Sequence, residues 1–259
     1  MDLPRNRFKH AIASGRTPVG TWLVSGAPST AEAMGCAGFD FLVLDMEHTP
    51  IDMAGLVSIL RTIEGTPAGV VTRLPWSDMV TVKRVLDAGA QTLMFPFVQN
   101  ADEAARAVSY TRYPPEGVRG VAAAHRASRH GTVTNYHRQA ASELCVIVQI
   151  ETLQALAELP GIAAVPGVDS IFIGPGDLSA SMGHLGNLAH EEVVAKVGEA
   201  AAACRKAGKP CGIVGPNPDL VARFVGFGYS WVAVGSDIGM MVGRAQEWLG
   251  KVRAVADAR

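Results

Sequence analysis

Short apolar runs rich in Val, Ile and Leu alternate along the chain with Ala-rich stretches of helical spacing, a pattern typical of βα units in a parallel sheet. The apolar runs predict eight strands, at residues 19–24, 41–45, 69–73, 92–97, 145–150, 169–173, 211–214 and 231–234. The intervening stretches predict helices at residues 29–37, 51–63, 78–88, 101–112, 152–159, 191–207, 219–226 and 239–256. Eight such pairs without a linker favour an α/β fold in which residues 1–259 form a single (β/α)8 TIM barrel domain. A short extra helix at residues 4–14 is expected to cover the bottom of the barrel.

Glycines mark several predicted helix ends. Gly65, Gly89, Gly208 and Gly228 each follow a helical stretch, where a left-handed glycine often ends a helix.

A doubly wound open sheet is the alternative fold. The segment 25–29 after the first strand holds one glycine where a dinucleotide-binding turn needs three, so the barrel is favoured.

Composition limits the class of protein. The chain has 259 residues, is 48% apolar and carries a net charge of −1. It can bury a large core, and its scattered Lys and Arg argue against a nucleic-acid or anionic-membrane surface. The four cysteines show no CxxC spacing, so we expect reduced thiols and a cytoplasmic protein. Residues 1–10 are too polar for a signal peptide, and no apolar run approaches the ~18 residues of a membrane span.

Titratable side chains recur where the predicted strands end. Barrel enzymes build their active sites at the carboxyl ends of the strands, an edge called the rim below. Only 18% of the residues are charged, so their recurrence at the rim indicates an active site. The rim groups are Asp45, Glu47 and His48 after the second strand, Arg73 after the third, Gln149 and Glu151 around the end of the fifth, and Asp177 after the sixth.

Two connections are longer than plain turns. Residues 174–190 follow the sixth strand and therefore belong to the rim. Residues 113–138 follow a helix and are interpreted either as a lid or as a subunit interface. His125, Arg126 and Arg129 in this connection are candidates for binding a distal substrate carboxylate or for an interface.

The rim residues also have simpler interpretations. Arg73 alone could be a surface cation, and Glu151 and Asp177 could cap helices. Gln149 and Glu151 must point to the same side of a strand of period two. Two carboxylates on adjacent strands, without Cys or His, favour a Mg²⁺ or Mn²⁺ site. No lysine ends a strand at the rim, which argues against a Schiff-base mechanism.

Five ordered motifs give the chain a family resemblance. The motifs are Asp45-Met-Glu-His-Thr-Pro50, Arg73-Leu-Pro-Trp76, Thr111-Arg-Tyr-Pro-Pro-Glu-Gly-Val-Arg-Gly120, Val148-Gln-Ile-Glu-Thr152 and Gly174-Pro-Gly-Asp-Leu-Ser179. With these motifs the chain resembles, over about residues 5–250, the HpcH/HpaI family of metal-dependent class II pyruvate aldolases, which cleave 4-hydroxy-2-oxo acids.

The resemblance implies a role for each rim residue. His48 matches the catalytic base and Arg73 the arginine that stabilises the transition state. Glu151 and Asp177 match the ligands of a divalent ion, Mg²⁺ or Mn²⁺, with Co²⁺ as a further candidate. The substrate-contacting positions match Gln149, Asp177 and the backbone of Gly176.

Two aspartates compete to support His48. Asp87, on the third helix that follows a strand, matches a family aspartate that raises the basicity of the histidine and can act in a neighbouring subunit. Asp45 is the rival by proximity. The family often carries Gly or another small residue at the position of Met46 and Ala at the position of Gly176, and neither difference removes a functional group.

The resemblance also implies substrates and assembly. Residues 128–133, 183–187 and 234–239 favour the branch that cleaves 2-dehydro-3-deoxyglucarate into pyruvate and tartronate semialdehyde. The runner-up is 4-hydroxy-2-oxoheptanedioate aldolase, which forms succinic semialdehyde. A CoA-thioester lyase of the citrate lyase type, a phosphate-binding barrel using residues 235–239 and a non-enzymatic binding barrel are the remaining alternatives. The resemblance suggests a hexamer with exchanged terminal helices, and the Met-rich segment 240–245 fits a buried helix.

Overall fold

A computed structural model describes residues 1–258 and shows eight parallel strands that close into a barrel in sequential order. The predicted fold class is therefore confirmed. The strands are β1 (Val19–Leu23), β2 (Phe41–Asp45), β3 (Gly69–Arg73), β4 (Thr92–Phe95), β5 (Cys145–Ile150), β6 (Ser170–Ile173), β7 (Cys211–Gly215) and β8 (Trp231–Ser236). The helices are α1 (Arg7–Ile12), α2 (Pro28–Cys36), α3 (Met53–Glu64), α4 (Met79–Asp87), α5 (Ala101–Thr111), α6 (Tyr136–Gln139), α7 (Leu153–Ala157), α8 (Leu159–Ala164), α9 (Pro175–Ser181), α10 (Glu191–Lys206), α11 (Pro218–Gly226) and α12 (Asp237–Ala256).

Aromatic side chains close the bottom of the barrel. Phe8 of α1 is fully buried and packs edge-on against Phe41 and Trp231, with ring centroids 5.0 and 5.2 Å away. The predicted N-terminal helix therefore covers the bottom of the barrel. Gly212 makes room for this packing, because a Cβ there would lie 2.1 Å from the Trp231 ring. The rim at the other end is left for polar side chains.

Most helix boundaries lie within two residues of the predicted ones, and two helix ends differ from the prediction for a local reason. The predicted helix at 152–159 is divided into α7 and α8, because Pro160 has no N–H to continue an α-helical ladder. Gly65 does not adopt the left-handed conformation, since its φ is −76°. Instead, the N–H and the hydroxyl of Thr66 donate to the Ile63 carbonyl, and these hydrogen bonds end α3. Gly89, Gly208 and Gly228 have positive φ, as expected.

The two long connections contain structure that the hydrophobic pattern did not predict. The connection after β6 begins with α9, whose first turn carries Asp177. The connection at 113–138 contains a 3₁₀ turn at Arg126–Ser128, and its Arg119 reaches back to Asp87 at the end of α4. This second connection therefore packs against the outer helices.

The last helix is exposed along almost its whole length. Asp237 at its start is the only buried residue of α12, while Trp248 and Val252 are 63% and 67% exposed. Residues 240–245, expected to be buried, are exposed in the single chain. No helix within residues 1–258 is long and apolar enough to cross a membrane.

Candidate active site

The ends of β2 and β3 hold a buried arginine between two carboxylates. Asp45 and Arg73 are paired in register. Nε and Nη2 of Arg73 donate to the two oxygens of Asp45 at 3.0 and 2.6 Å, while Nη1 lies 3.1 Å from Oε2 of Glu47. The guanidinium carbon also lies 5.5 Å from the centre of the Trp22 ring. A bidentate pair of this kind fixes both the position and the plane of the guanidinium.

His48 lies on the turn that follows β2. Oδ1 of Asp45 accepts the backbone N–H groups of Glu47 and His48 at 2.9 and 3.3 Å, and the Thr49 hydroxyl donates to the Asp45 carbonyl. The His48 side chain is 64% exposed, and its Nε2 lies 3.7 Å from Oε2 of Glu47. Asp45 therefore holds the turn and Arg73, while the carboxylate beside the imidazole belongs to Glu47.

Glu151 is the most deeply buried acid among the predicted metal ligands, at 2% exposure. Its Oε1 accepts the Phe97 N–H at 2.9 Å, and its Oε2 accepts the side-chain amide of Gln149. The two side chains thus share one side of the chain, as the strand period predicts. Gly174 permits this position, because a Cβ there would lie 2.6 Å from Oε2 of Glu151.

Negative charge exceeds positive charge around Glu151. Burial raises the pKa of the Glu151 carboxyl to about 7, and the charges of Asp177 and Glu47 add to the shift. Burial also raises the pKa of Glu47, although Arg73 and His48 oppose the shift. The Glu151 carboxyl therefore lacks a compensating cation, and the oxygen-only donor set of Glu151 and Asp177 fits a hard divalent ion.

Among the remaining predicted residues of the rim, Asp177 and Gly176 are exposed and Gln149 is buried. Asp177 is exposed on the first turn of α9. A Cβ added to Gly176 would have no atom within 4 Å, so the backbone there is accessible to a ligand. The side-chain oxygen of Gln149 is buried and has no hydrogen-bond partner.

Asp87 does not join the rim within one chain. It ends α4, which begins near the rim and runs away from it, and its Oδ1 accepts Nη2 of Arg119 at 2.8 Å. Nε2 of His125 lies 3.8 Å from the same oxygen. The Arg119 side chain is fully buried and stacks on Tyr113 at 4.5 Å. Asp87 is thus held in one orientation and is still 23% exposed.

Sequence reasoning missed several groups around the rim. It placed Glu47 there without giving it a role, although an acid directly before His48 was a usable signal. It did not identify Trp76 and Phe97, whose exposed rings stack 6.4 Å apart, because isolated aromatic residues carry no such signal. Asp237 is buried and accepts the N–H groups of residues 24 and 25. A carboxylate at this place opposes phosphate binding by residues 235–239.

A closed (β/α)8 barrel with a fixed arginine, an exposed histidine and clustered acids on its rim has the architecture of a barrel enzyme. Residues 19–243 match the family described as HpcH/HpaI aldolase/citrate lyase, and the chain belongs to that family. A 2-dehydro-3,6-dideoxy-6-sulfogluconate aldolase of Pseudomonas putida is 51% identical over 90% of this chain and 91% of its own. A 5-keto-4-deoxy-D-glucarate aldolase of Salmonella arizonae is 45% identical over 91% and 92%. The crystal structure of an HpcH/HpaI family protein from Burkholderia cenocepacia superposes with a TM-score of 0.92 at 39% identity, over 96% of this chain and 99% of that one.

Proposed function

We propose that this protein is a class II pyruvate aldolase that reversibly cleaves a 4-hydroxy-2-oxo acid into pyruvate and a small aldehyde. The observation that carries the proposal is the buried Glu151, whose raised pKa beside Asp177 and Glu47 marks a place for a cation. Glu151 and Asp177 would hold Mg²⁺ or Mn²⁺, with Co²⁺ as a further candidate. When bound, the ion supplies Lewis acidity that stabilises negative charge on the keto oxygen of the substrate.

The residues of the chain supply the remaining chemistry. His48, exposed at the mouth, takes the proton of the C4 hydroxyl. The C4–O group becomes the aldehyde carbonyl, the C3–C4 bond breaks, and its electron pair stays with the pyruvate unit as an enolate. Arg73, held by Asp45, lies beside the developing oxyanion. Gln149 and the backbone of Gly176 orient the carboxylate end.

We favour a 2-dehydro-3-deoxyglucarate type substrate that yields tartronate semialdehyde. The names of the two curated relatives describe sugar acids that carry an anionic group at the far end, a carboxylate or a sulfonate. The runner-up substrate, 4-hydroxy-2-oxoheptanedioate, also has a distal carboxylate. Pyruvate release should therefore be measured for 2-dehydro-3-deoxyglucarate, 2-dehydro-3,6-dideoxy-6-sulfogluconate and 4-hydroxy-2-oxoheptanedioate, with the Mg²⁺-loaded and the Mn²⁺-loaded enzyme. A preference for the heptanedioate would overturn the substrate assignment.

The metal dependence has a test of its own. A chelator should abolish turnover and added Mg²⁺ or Mn²⁺ should restore it, whereas borohydride with pyruvate should not trap the protein. Covalent trapping would indicate a Schiff-base enzyme. Turnover of a CoA thioester without cleavage of any 4-hydroxy-2-oxo acid would favour the citrate lyase type of activity.

We further propose that Asp87 acts on His48 across a subunit boundary in a homo-oligomer, a hexamer by family analogy. Within one chain Asp87 lies with Arg119 and away from the rim, yet it remains partly exposed. The apolar side chains exposed along α12 give a surface that a second copy can cover. The single barrel domain would span residues 1–259, and the four free cysteines fit a cytoplasmic location.

Subunit mixing tests the shared site. His48→Ala and Asp87→Ala should each be nearly inactive as pure oligomers. After dissociation and reassembly together, some sites combine an intact His48 with an intact Asp87 of the other chain, and activity should return to at most about a quarter of wild type. No recovery in verified mixed oligomers would contradict a role across the boundary.

A further inference from the structure

We propose that His184, His190 and Glu192 form a second cation site, separate from the rim, that takes Zn²⁺ in preference to Mg²⁺. Among residues 1–258 this is the one group of three such side chains whose ligand atoms all lie within 4.8 Å of one another. The proposal does not depend on the aldolase assignment. It concerns the connection between α9 and α10, to which the proposed reaction gives no role.

The connection between α9 and α10 is folded so that the two histidines meet. The His184 N–H donates to the Ser179 carbonyl at 2.8 Å, and the Asn187 N–H donates to the His184 carbonyl at 2.9 Å. The His190 N–H in turn donates to the Asn187 carbonyl at 3.2 Å. These turns place the imidazole centroids 3.6 Å apart, and Gly183 and Gly186 support them with φ of 82° and 77°. The histidines are thus held together by the backbone and not by the stacking of their rings alone.

Glu192 completes the donor set from the first turn of α10. Its Oε2 lies 2.8 Å from Nε2 of His184, whose side chain is only 22% exposed. Typical Zn–N and Zn–O bonds of about 2.0–2.2 Å at a tetrahedral angle put such ligand atoms roughly 3.4 Å apart. The His184 and Glu192 atoms therefore need to separate by only about 0.6 Å for an ion to replace the proton between them, which passes to solvent.

His190 must turn to complete the site. The two rings are nearly parallel, with 18° between their planes, so their in-plane lone pairs do not converge on one point. The Nδ1 atom of His190 accepts the Glu192 N–H at 3.3 Å, a long and weak hydrogen bond that is readily given up. Rotation of this half-exposed side chain brings a ring nitrogen to the ion. We therefore expect metal binding to separate the stacked rings.

The two proposed sites differ in chemistry and position. Two imidazoles and one carboxylate suit Zn²⁺, whereas the oxygen-only rim suits Mg²⁺ or Mn²⁺. Asp177 lies on the first turn of the seven-residue helix α9, whereas His184 lies in the loop that follows the last turn of this helix. A bound ion would clamp this loop to the start of α10. The site is therefore expected to be structural and to leave the aldol chemistry unchanged.

Metal counting on tag-free, Mg²⁺-saturated enzyme tests the proposal. Wild type should retain one equivalent of Zn²⁺ per chain after gel filtration, and His190→Ala and Glu192→Gln should bind it at least about tenfold more weakly. Glu151→Gln is the control for the rim, and it should lose aldolase turnover but keep its equivalent of Zn²⁺. His190→Ala should keep Mg²⁺-dependent turnover, which also verifies that the variant is folded.

NMR spectroscopy can identify which histidines bind the ion. In wild-type enzyme, imidazole NMR signals of His184 and His190 should shift together on addition of one equivalent of Zn²⁺, while those of His10 stay in place. Equal Zn²⁺ retention by wild type, His190→Ala and Glu192→Gln would overturn the proposal. Loss of the equivalent in Glu151→Gln alone would do the same, because it would place the ion at the rim.

Discussion

Replacing Gly174 by alanine is expected to weaken metal binding at the rim without unfolding the protein. Its φ of −84° is open to any residue, so the substitution tests space and not backbone freedom. The added Cβ would lie 2.6 Å from Oε2 of Glu151, 2.9 Å from Cβ of Glu151 and 3.2 Å from the Gln149 side-chain nitrogen. Ordinary contact begins at 3.4 Å, so the carboxylate must move by about 0.8 Å.

That displacement exceeds what a metal site tolerates. Ligand positions must be held within roughly 0.5 Å, and changes that reorient a ligand typically cost about 10–100-fold in metal affinity. We expect a loss of this size for Mn²⁺, together with at most about 1–3 kcal/mol of stability from overpacking. Mn²⁺ titration followed by electron paramagnetic resonance measures the affinity, and urea unfolding measures the stability.

Gly176→Ala provides the matched control two residues away. A Cβ at Gly176 meets no atom within 4 Å, so metal affinity should stay at the wild-type value. Because Gly176 lies within α9, alanine should stabilise that helix by up to about 1 kcal/mol. Unchanged Mn²⁺ affinity in Gly174→Ala, or equal losses in both variants, would refute the assignment of Glu151 as a metal ligand supported by this glycine.

Two further predictions concern the charges of the rim. Arg73→Lys should lower kcat by on the order of 10²–10³, because one ammonium group cannot replace the planar guanidinium held by Asp45. Arg106→Lys is the control, since the Arg106 side chain is exposed on α5. Wild-type turnover in Arg73→Lys would contradict the role. In metal-free protein the Glu151 carboxyl has a pKa of about 7 against an ordinary 4.5, so the folded state binds its proton more tightly than the unfolded state. Its contribution to stability is therefore full at acidic pH and is lost as the pH rises through about 7. Urea unfolding of metal-free wild type between about pH 5 and 8 should show this decline and Glu151→Gln should not, and equal slopes would argue against the shift.

The pattern of apolar and polar residues along the chain predicted most of the barrel. Strand positions followed from apolar runs that are buried on both faces, and such runs are hard to place anywhere except in a covered parallel sheet. The predicted rim residues fell at strand ends because the parallel arrangement carries every carboxyl end to one edge. Two helix ends differed from the prediction for local reasons. Hydrogen bonds from Thr66 end α3 without a left-handed Gly65, and the missing N–H of Pro160 divides the helix predicted at 152–159.

The contacts that surround each rim residue could not be predicted from the sequence. Asp45 was a rival for supporting His48, but the register of β2 and β3 engages it with Arg73, and Glu47 is the acid beside the imidazole. The surplus charge around Glu151 arises from groups on three different strand ends. The spacing of these residues along the chain does not predict the surplus of negative charge that they form together.

The sequence by itself determined the order of the strands, the barrel and the list of reactive side chains, because these depend on periodicity and on the residues that follow each strand. The tertiary structure decided which of those side chains share a buried environment, how Asp87 is separated from the rim of its own chain, and that His184, His190 and Glu192 meet. Pairing and pKa depend on distance and burial in three dimensions, and these are set only when the barrel closes.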